Sequence, residues 1–102
     1  MALVDKVRRK LHVIYQDNEV DERIDGIMKQ ADLDLRSMLA ITESSFTFED
    51  GGTEQALFLA YCFYEWNDAL DDFEVNYADK IAKCRDRWLA VEYAQKAAST
   101  EL

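Results

Sequence analysis

The sequence predicts an all-α fold: a four-helix, bundle-like single domain with a long loop between its second and third helices. Three observations carry this. The 102 residues include no proline and only three glycines, Gly26, Gly51 and Gly52, so little in the chain interrupts a helix. Apolar residues recur three and four apart over most of the length. Half of the residues are apolar and a third are charged, a composition that suits a packed domain and not a disordered chain. One domain, residues 1–102, fits this length, and it buries roughly 65% of its unfolded surface without needing staples.

Leu3, Val4, Val7, Leu11 and Ile14 trace a short first helix. Asp17 or Asn18 can cap the next, and Asp17-Asn18-Glu19 places acids at its positive end. Val20, Ile24, Ile27, Met28, Ala31, Leu35, Met38 and Leu39 then form one amphipathic face, predicting a helix from about Glu19 to Ala40. Ile41 to Gly52 lacks a helical period. Within it, Ser45-Phe46-Thr47-Phe48-Glu49 alternates as a strand does. Loops of this length tend to carry function, so this one is expected to be the most mobile internal segment. Phe46 and Phe48 can either fold back on their own core or dock on a neighbouring chain.

Thr53 is a plausible N-cap for the third helix, with Glu54 in its first turn. Leu57 to Tyr64 is apolar on every side, which places it at the bundle centre. From Trp66 to Val91 an apolar stripe continues unbroken, yet a single helix would be roughly 70 Å long, too long for one small domain. Two breaks are available. Asp71 with Glu74 makes a capping box, stapled by Leu70 and Val75. Asn76 with Asp79 makes a looser one and is preferred, because it leaves helices of similar length. The fourth helix then runs to about Ala98, and Ser99 to Leu102 are expected to fray.

The net charge of −9 argues against nonspecific nucleic-acid binding by the whole surface. The charge is uneven. Lys6, Arg8, Arg9 and Lys10 crowd the N-terminus, whereas Glu65 to Asp79 holds six acids and no base. Such asymmetry suits either two solvated faces or self-association between unlike surfaces. Cys62 and Cys84 are too few for a disulfide framework or zinc site and sit in apolar patterns, predicting buried, reduced thiols. The N-terminus lacks the apolar run of a signal peptide, and the longest apolar run, Ala56 to Tyr64, is too short to span a membrane.

Sites for chemistry are sparse. His12 is the only histidine, so a catalytic triad has no basis. No phosphate loop, zinc set or calcium loop is present. The best enzyme reading is a carboxylate metal site: Glu65, Asp68 and Asp72 lie three and four apart, which on one helix puts them on one face. Some all-α nucleotide pyrophosphohydrolases use acids at such spacing. Of the eight aromatics from Tyr61 to Tyr93, at least two are expected to be partly exposed for contact.

The pattern Tyr64, Asn67, Phe73, Asn76 and Tyr77, following a central apolar helix, resembles the small head–tail connector (head-completion adaptor) proteins of tailed bacteriophages. The layout is similar over nearly the whole chain: a basic first helix, an acidic turn, an amphipathic helix, a loop, then the apolar helix. The resemblance implies a structural virion protein without catalysis or cofactor. Such proteins form a ring, usually twelve-fold, between the portal and the stopper or tail proteins at the head–tail junction. DNA only passes through the channel they extend. The five motif residues would anchor the helix junction. Candidate interface residues are Lys6, Arg8, Arg9 and Lys10 against Trp66, Asp68, Asp71 and Asp72 of a neighbour, with Phe46 and Phe48 from the loop. The alternative is a small helical interaction or regulatory module.

Overall fold

The computed structural model describes residues 2–100, and they form an all-α single domain, as the apolar periodicity predicts. The helices are α1 (Leu3–Lys10), α2 (Asn18–Met38), α3 (Gly52–Trp66), α4 (Leu70–Asn76) and α5 (Ala78–Thr100), with a 3-10 turn at Phe48–Asp50. The segment expected to join two long helices is a short helix of its own, which makes five. Among the described residues there is no strand, so the alternation at 45–49 does not build a sheet edge.

α3 is the axle. α1, α2, the 3-10 turn, α4 and α5 all pack on it. This is why its sequence is apolar on most sides: Leu57, Phe58, Ala60, Tyr61 and Cys62 are all buried. Val7 of α1 with Leu11 and Val13 of the turn after it close one side of the core, and Ile24, Ile27, Ala31 and Leu35 of α2 with its C-cap Leu39 close another. Asp17 caps α2 as expected: its Oδ1 accepts from the Glu19 and Val20 amides at 2.9 and 3.2 Å.

Three helix ends share one device. After α1, the Val13 and His12 amides donate back to the Arg8 and Arg9 carbonyls. After α2, Ile41 and Ala40 donate to Arg36 and Ser37, and after α3, Ala69 and Asp68 donate to Tyr64 and Glu65. These are Schellman turns, which need one left-handed residue. Here that residue is never glycine: His12, Ala40 and Asp68 have φ of 61°, 57° and 55°. After the first two, the next residue turns inward: Val13 and Ile41 are buried. The first of these turns ends α1 at Lys10, so Ile14, expected on its inner face, is instead 95% exposed.

The loop after α2 is packed down: of the two dispositions open to Phe46 and Phe48, they fold back on their own core. Arg36 organises it. Its Nη2 donates to the Phe46 carbonyl at 2.6 Å, while its Nε pairs with Asp32 at 2.7 Å. The Phe46 ring meets Phe48 and Trp88 edge-on at 5.0 and 5.1 Å, and Phe48 lies 4.9 Å from Phe58. α3 begins at Gly52 with Gly51 at its N-cap, not at Thr53. Gly51 has φ 83° and ψ −157°, a conformation open to glycine alone.

The break between α4 and α5 falls at Tyr77, next to the expected Asn76. The Asp71 capping box does not form: α4 starts after Ala69, and Val75, its supposed staple, is 75% exposed. α5 packs through Ile81, Cys84 and Trp88. Beyond Trp88 it leaves the core, with Leu89, Val91 and Tyr93 exposed, and the molecule measures 54 × 27 × 18 Å. The helix continues through Ser99 and Thr100, which were expected to fray; the remainder of that stretch, Glu101 and Leu102, lies outside the described residues.

Candidate functional site

The five motif residues meet at the corner where α3 turns into α4 and α5. The Asp68 turn reverses the chain, and α4 returns Phe73 beneath the end of α3. Phe73 is fully buried. Its ring lies 5.5 Å from Tyr61, 6.0 Å from Tyr64 and 5.3 Å from Tyr77, and Tyr64 meets Tyr77 at 5.9 Å. Asn76 donates from Nδ2 to the Tyr64 hydroxyl at 3.0 Å. Asn67 donates from Nδ2 to the Phe63 carbonyl at 2.8 Å, satisfying one of the open carbonyls at the end of α3. The corner is thus an aromatic cluster with amides holding its edges. Below it, the Tyr61 hydroxyl donates to the Asp34 carboxylate and accepts from Gln30 at 2.9 Å. Burial, then the bond to Asp34, raise the Tyr61 pKa well above its usual value, so it stays a neutral donor.

The remaining candidates divide into engaged and free. Trp66 is half-buried beneath Arg23, whose guanidinium sits 4.2 Å from the ring and donates to the Trp66 carbonyl at 2.9 Å. Phe48 is buried and Phe46 half-buried in their own core, so Phe48 offers no surface to a neighbour. The physical reason is the cation and carbonyl pairing at Arg36, which folds the loop inward. Asp68, Asp71 and Asp72 are exposed and enter no ion pair among the described residues. The basic cluster is partly consumed within the chain. Arg8 pairs with Asp21 at 2.6 Å and donates to the Tyr15 carbonyl, and Lys6 donates to Gln55 at 3.2 Å. Arg9 and Lys10 remain exposed, with the Lys10 Nζ 5.7 Å from the Phe63 ring.

The carboxylate triplet does not assemble as expected. The break at Asn67–Ala69 puts Glu65 on α3, Asp68 in the turn and Asp72 on α4, so no single helix face carries all three. Among the described residues, no group of three or more His, Cys, Asp or Glu is arranged to hold a metal ion. No described helix is long and apolar enough to cross a membrane.

Both cysteines are buried and unpaired, as their apolar settings predict. Burial pushes the Cys62 thiol up to about 12. Burial and the adjacent Glu54 carboxylate push Cys84 up to about 11. Glu54 is a residue whose role the sequence alone does not show. Its Oε1 accepts from the Trp88 indole at 3.2 Å and from the Cys84 thiol at 3.5 Å, fixing α5 on α3. Beside it, the start of α3 and the first turns of α5 enclose a cleft of about 210 Å³. Buried Leu57 and half-buried Tyr77 line it with Thr53 and Ala56, and the exposed Lys80, Lys83 and Arg87 border it. Their spacing of three and four marks one helix face, a signal present in the sequence but overshadowed by the denser N-terminal cluster. No protein-family model, curated protein or solved structure matches this chain.

Proposed function

We propose that this chain is a structural subunit of a phage head–tail connector, a ring that joins the portal to the stopper or tail proteins and extends the DNA channel without catalysis. The observation that carries the reading is the corner itself. Tyr64, Phe73, Asn76 and Tyr77 of the resemblance form one contiguous cluster, and Asn67, the fifth, closes the end of α3 beside it through the Phe63 carbonyl. A pattern of ordinary residues that converges in space fits a fold-defining junction better than chance spacing. The surface supports the same reading. Acids stand free around the α3–α4 turn and cations border the cleft between α3 and α5, and unlike patches on one chain favour the head-to-tail contacts from which rings are built. Assembly in the host cytoplasm and residence in the virion follow from this reading.

The test is electron microscopy of the purified protein mixed with portal rings from a tailed phage encoded alongside it. Density for an added ring beneath the portal is expected. Portal rings that stay bare at saturating protein would overturn the proposal. The exposed apolar end of α5 is the one observation that favours the broader alternative, a helical interaction module. Bare portals together with specific capture of another helical protein would select it.

A further inference from the structure

We propose that the cleft between α3 and α5 receives the exposed face of α4 from a second copy of this chain, with Val75 entering the cleft and Asp71 and Asp72 meeting Lys80, Lys83 and Arg87. The inference deepens the ring reading by naming the surfaces that meet, and rests on it only for closure of the contact into a ring.

The two surfaces match in both chemistry and layout. The cleft combines apolar lining from Ala56, Leu57 and Tyr77 with the exposed cations Lys80, Lys83 and Arg87. The outer face of α4 has the opposite arrangement. Val75 is an apolar knob, 75% exposed, and Asp71 and Asp72 lie one turn before it, four and three residues away on the same face. None of these three has a partner of its own among the described residues. On the cleft side, Lys80 rests against the Tyr77 ring, its Nζ 5.7 Å from the centroid, and enters no ion pair among the described residues. Lys83 pairs with Asp79 in an exposed bridge of 3.1 Å, and Arg87 reaches Glu54 only at 3.9 Å. Exposed bridges of this kind are weak, so these cations can be redirected at little cost.

Val75 does not line the cleft of its own chain. The cleft is lined by Ala56 and Leu57 of α3 and by Tyr77, the residue that follows α4, whereas Val75 is exposed and not among the lining residues. A second copy is therefore needed to bring a Val75 knob into it, and each copy carries one knob and one cleft, as a head-to-tail contact requires. Compared with the N-terminal cluster, where Arg8 and Lys6 are committed within the chain, this rim is the better-placed basic half.

The experiment uses paramagnetic broadening at millimolar protein. A spin label on Glu74→Cys, beside the knob, is mixed with an isotope-labelled copy bearing no spin label; the buried native thiols resist labelling. Broadening of the partner's amides at Ala56, Leu57 and Lys80 to Arg87 is expected. It should be lost at about 0.5 M salt, where the screening length falls below about 5 Å. Lys80→Glu with Lys83→Glu should weaken the contact about tenfold, as should Asp71→Lys with Asp72→Lys, and mixing the two variants should restore it. Circular dichroism checks that each remains folded. No broadening, broadening on another surface, or a mixture that fails to recover overturns the proposal. So does perturbation of the cleft by a short DNA duplex with none from the labelled copy, which would assign the rim to nucleic acid. The ring reading is judged separately: connector rings on portals with no broadening of the cleft would leave it standing while sinking this contact, and the reverse result would do the opposite.

Discussion

Replacing Phe73 by alanine tests whether the aromatic corner holds the domain together or merely decorates it. The side chain is fully buried and touches the rings of Tyr61, Tyr64 and Tyr77 at 5.3–6.0 Å. Removing a buried phenyl ring costs about 3–5 kcal/mol, from lost transfer energy and the cavity left behind. Collapse of the site would place the effect low in that range, and α4, only seven residues long, is the element best able to shift inward. The three ring contacts fall within this figure and are not added to it. A loss of about 3 kcal/mol is a large fraction of the 5–15 kcal/mol typical of such a domain. At about 4–8 °C per kcal/mol for a domain near this size, the Tm should fall by about 12–24 °C. Urea unfolding followed by far-UV circular dichroism gives the free energy directly, with an unchanged slope showing that only stability moved. Asn76→Ala is the control, because its bond to Tyr64 is exposed and should matter by less than about 1 kcal/mol. A Phe73→Ala variant within about 1 kcal/mol of the parent would refute the corner as the anchor of the junction.

Ala40→Gly should stabilise the protein by about 0.5–1 kcal/mol, because relief of the left-handed alanine at φ 57° outweighs the added freedom of the unfolded chain; a lower urea midpoint would count against the strain. Glu54→Ala should cost about 1.5–3 kcal/mol by stranding the Trp88 indole, whereas Glu54→Gln, which keeps an acceptor, should cost less; tryptophan fluorescence and thermal melts separate the two. Stability should fall in alkali. The folded thiol pKa values, about 12 for Cys62 and about 11 for Cys84, lie above the ordinary value of about 8.5, so the unfolded state loses its protons first. Full stability is present below about pH 8.5 and declines toward pH 11–12, by up to about 1.4 kcal/mol per pH unit per thiol. Cys62→Ala should flatten that slope, and an equally steep decline in the variant would assign it elsewhere.

The helices with one apolar face were legible from sequence, and so were both ends of α2: Asp17 marks its start, and the loss of the apolar period marks its end near Ala40. The turns themselves were not, because the left-handed residues His12, Ala40 and Asp68 are not glycine. A left-handed residue held by tertiary packing leaves no compositional trace, which is why the turn at Asp68 was not foreseen and the carboxylate triplet was drawn on one helix. The loop misled for a related reason. Its alternating phenylalanines have the period of a strand, yet what decides their place is Arg36, ten residues upstream of Phe46, bonding backbone carbonyls that no pattern reveals. The corner residues were readable as a group, while the cleft was not, because it exists only once α3 and α5 are antiparallel neighbours.

The portion of α5 beyond Trp88 has a consequence for timing. A free helix of about twelve residues is marginal in water because its first turn must be nucleated against entropy. Here the nucleus is supplied by the docked half, anchored at Cys84 and Trp88, so the distal turns need only propagate. They should wind and unwind turn by turn within about a microsecond, without waiting for the domain to open. Amide exchange should therefore rise steadily from Leu89 outward instead of stepping at one boundary. A surface that arrives at the end of such a helix meets a segment already partly wound, and the ordering cost of capturing it is small.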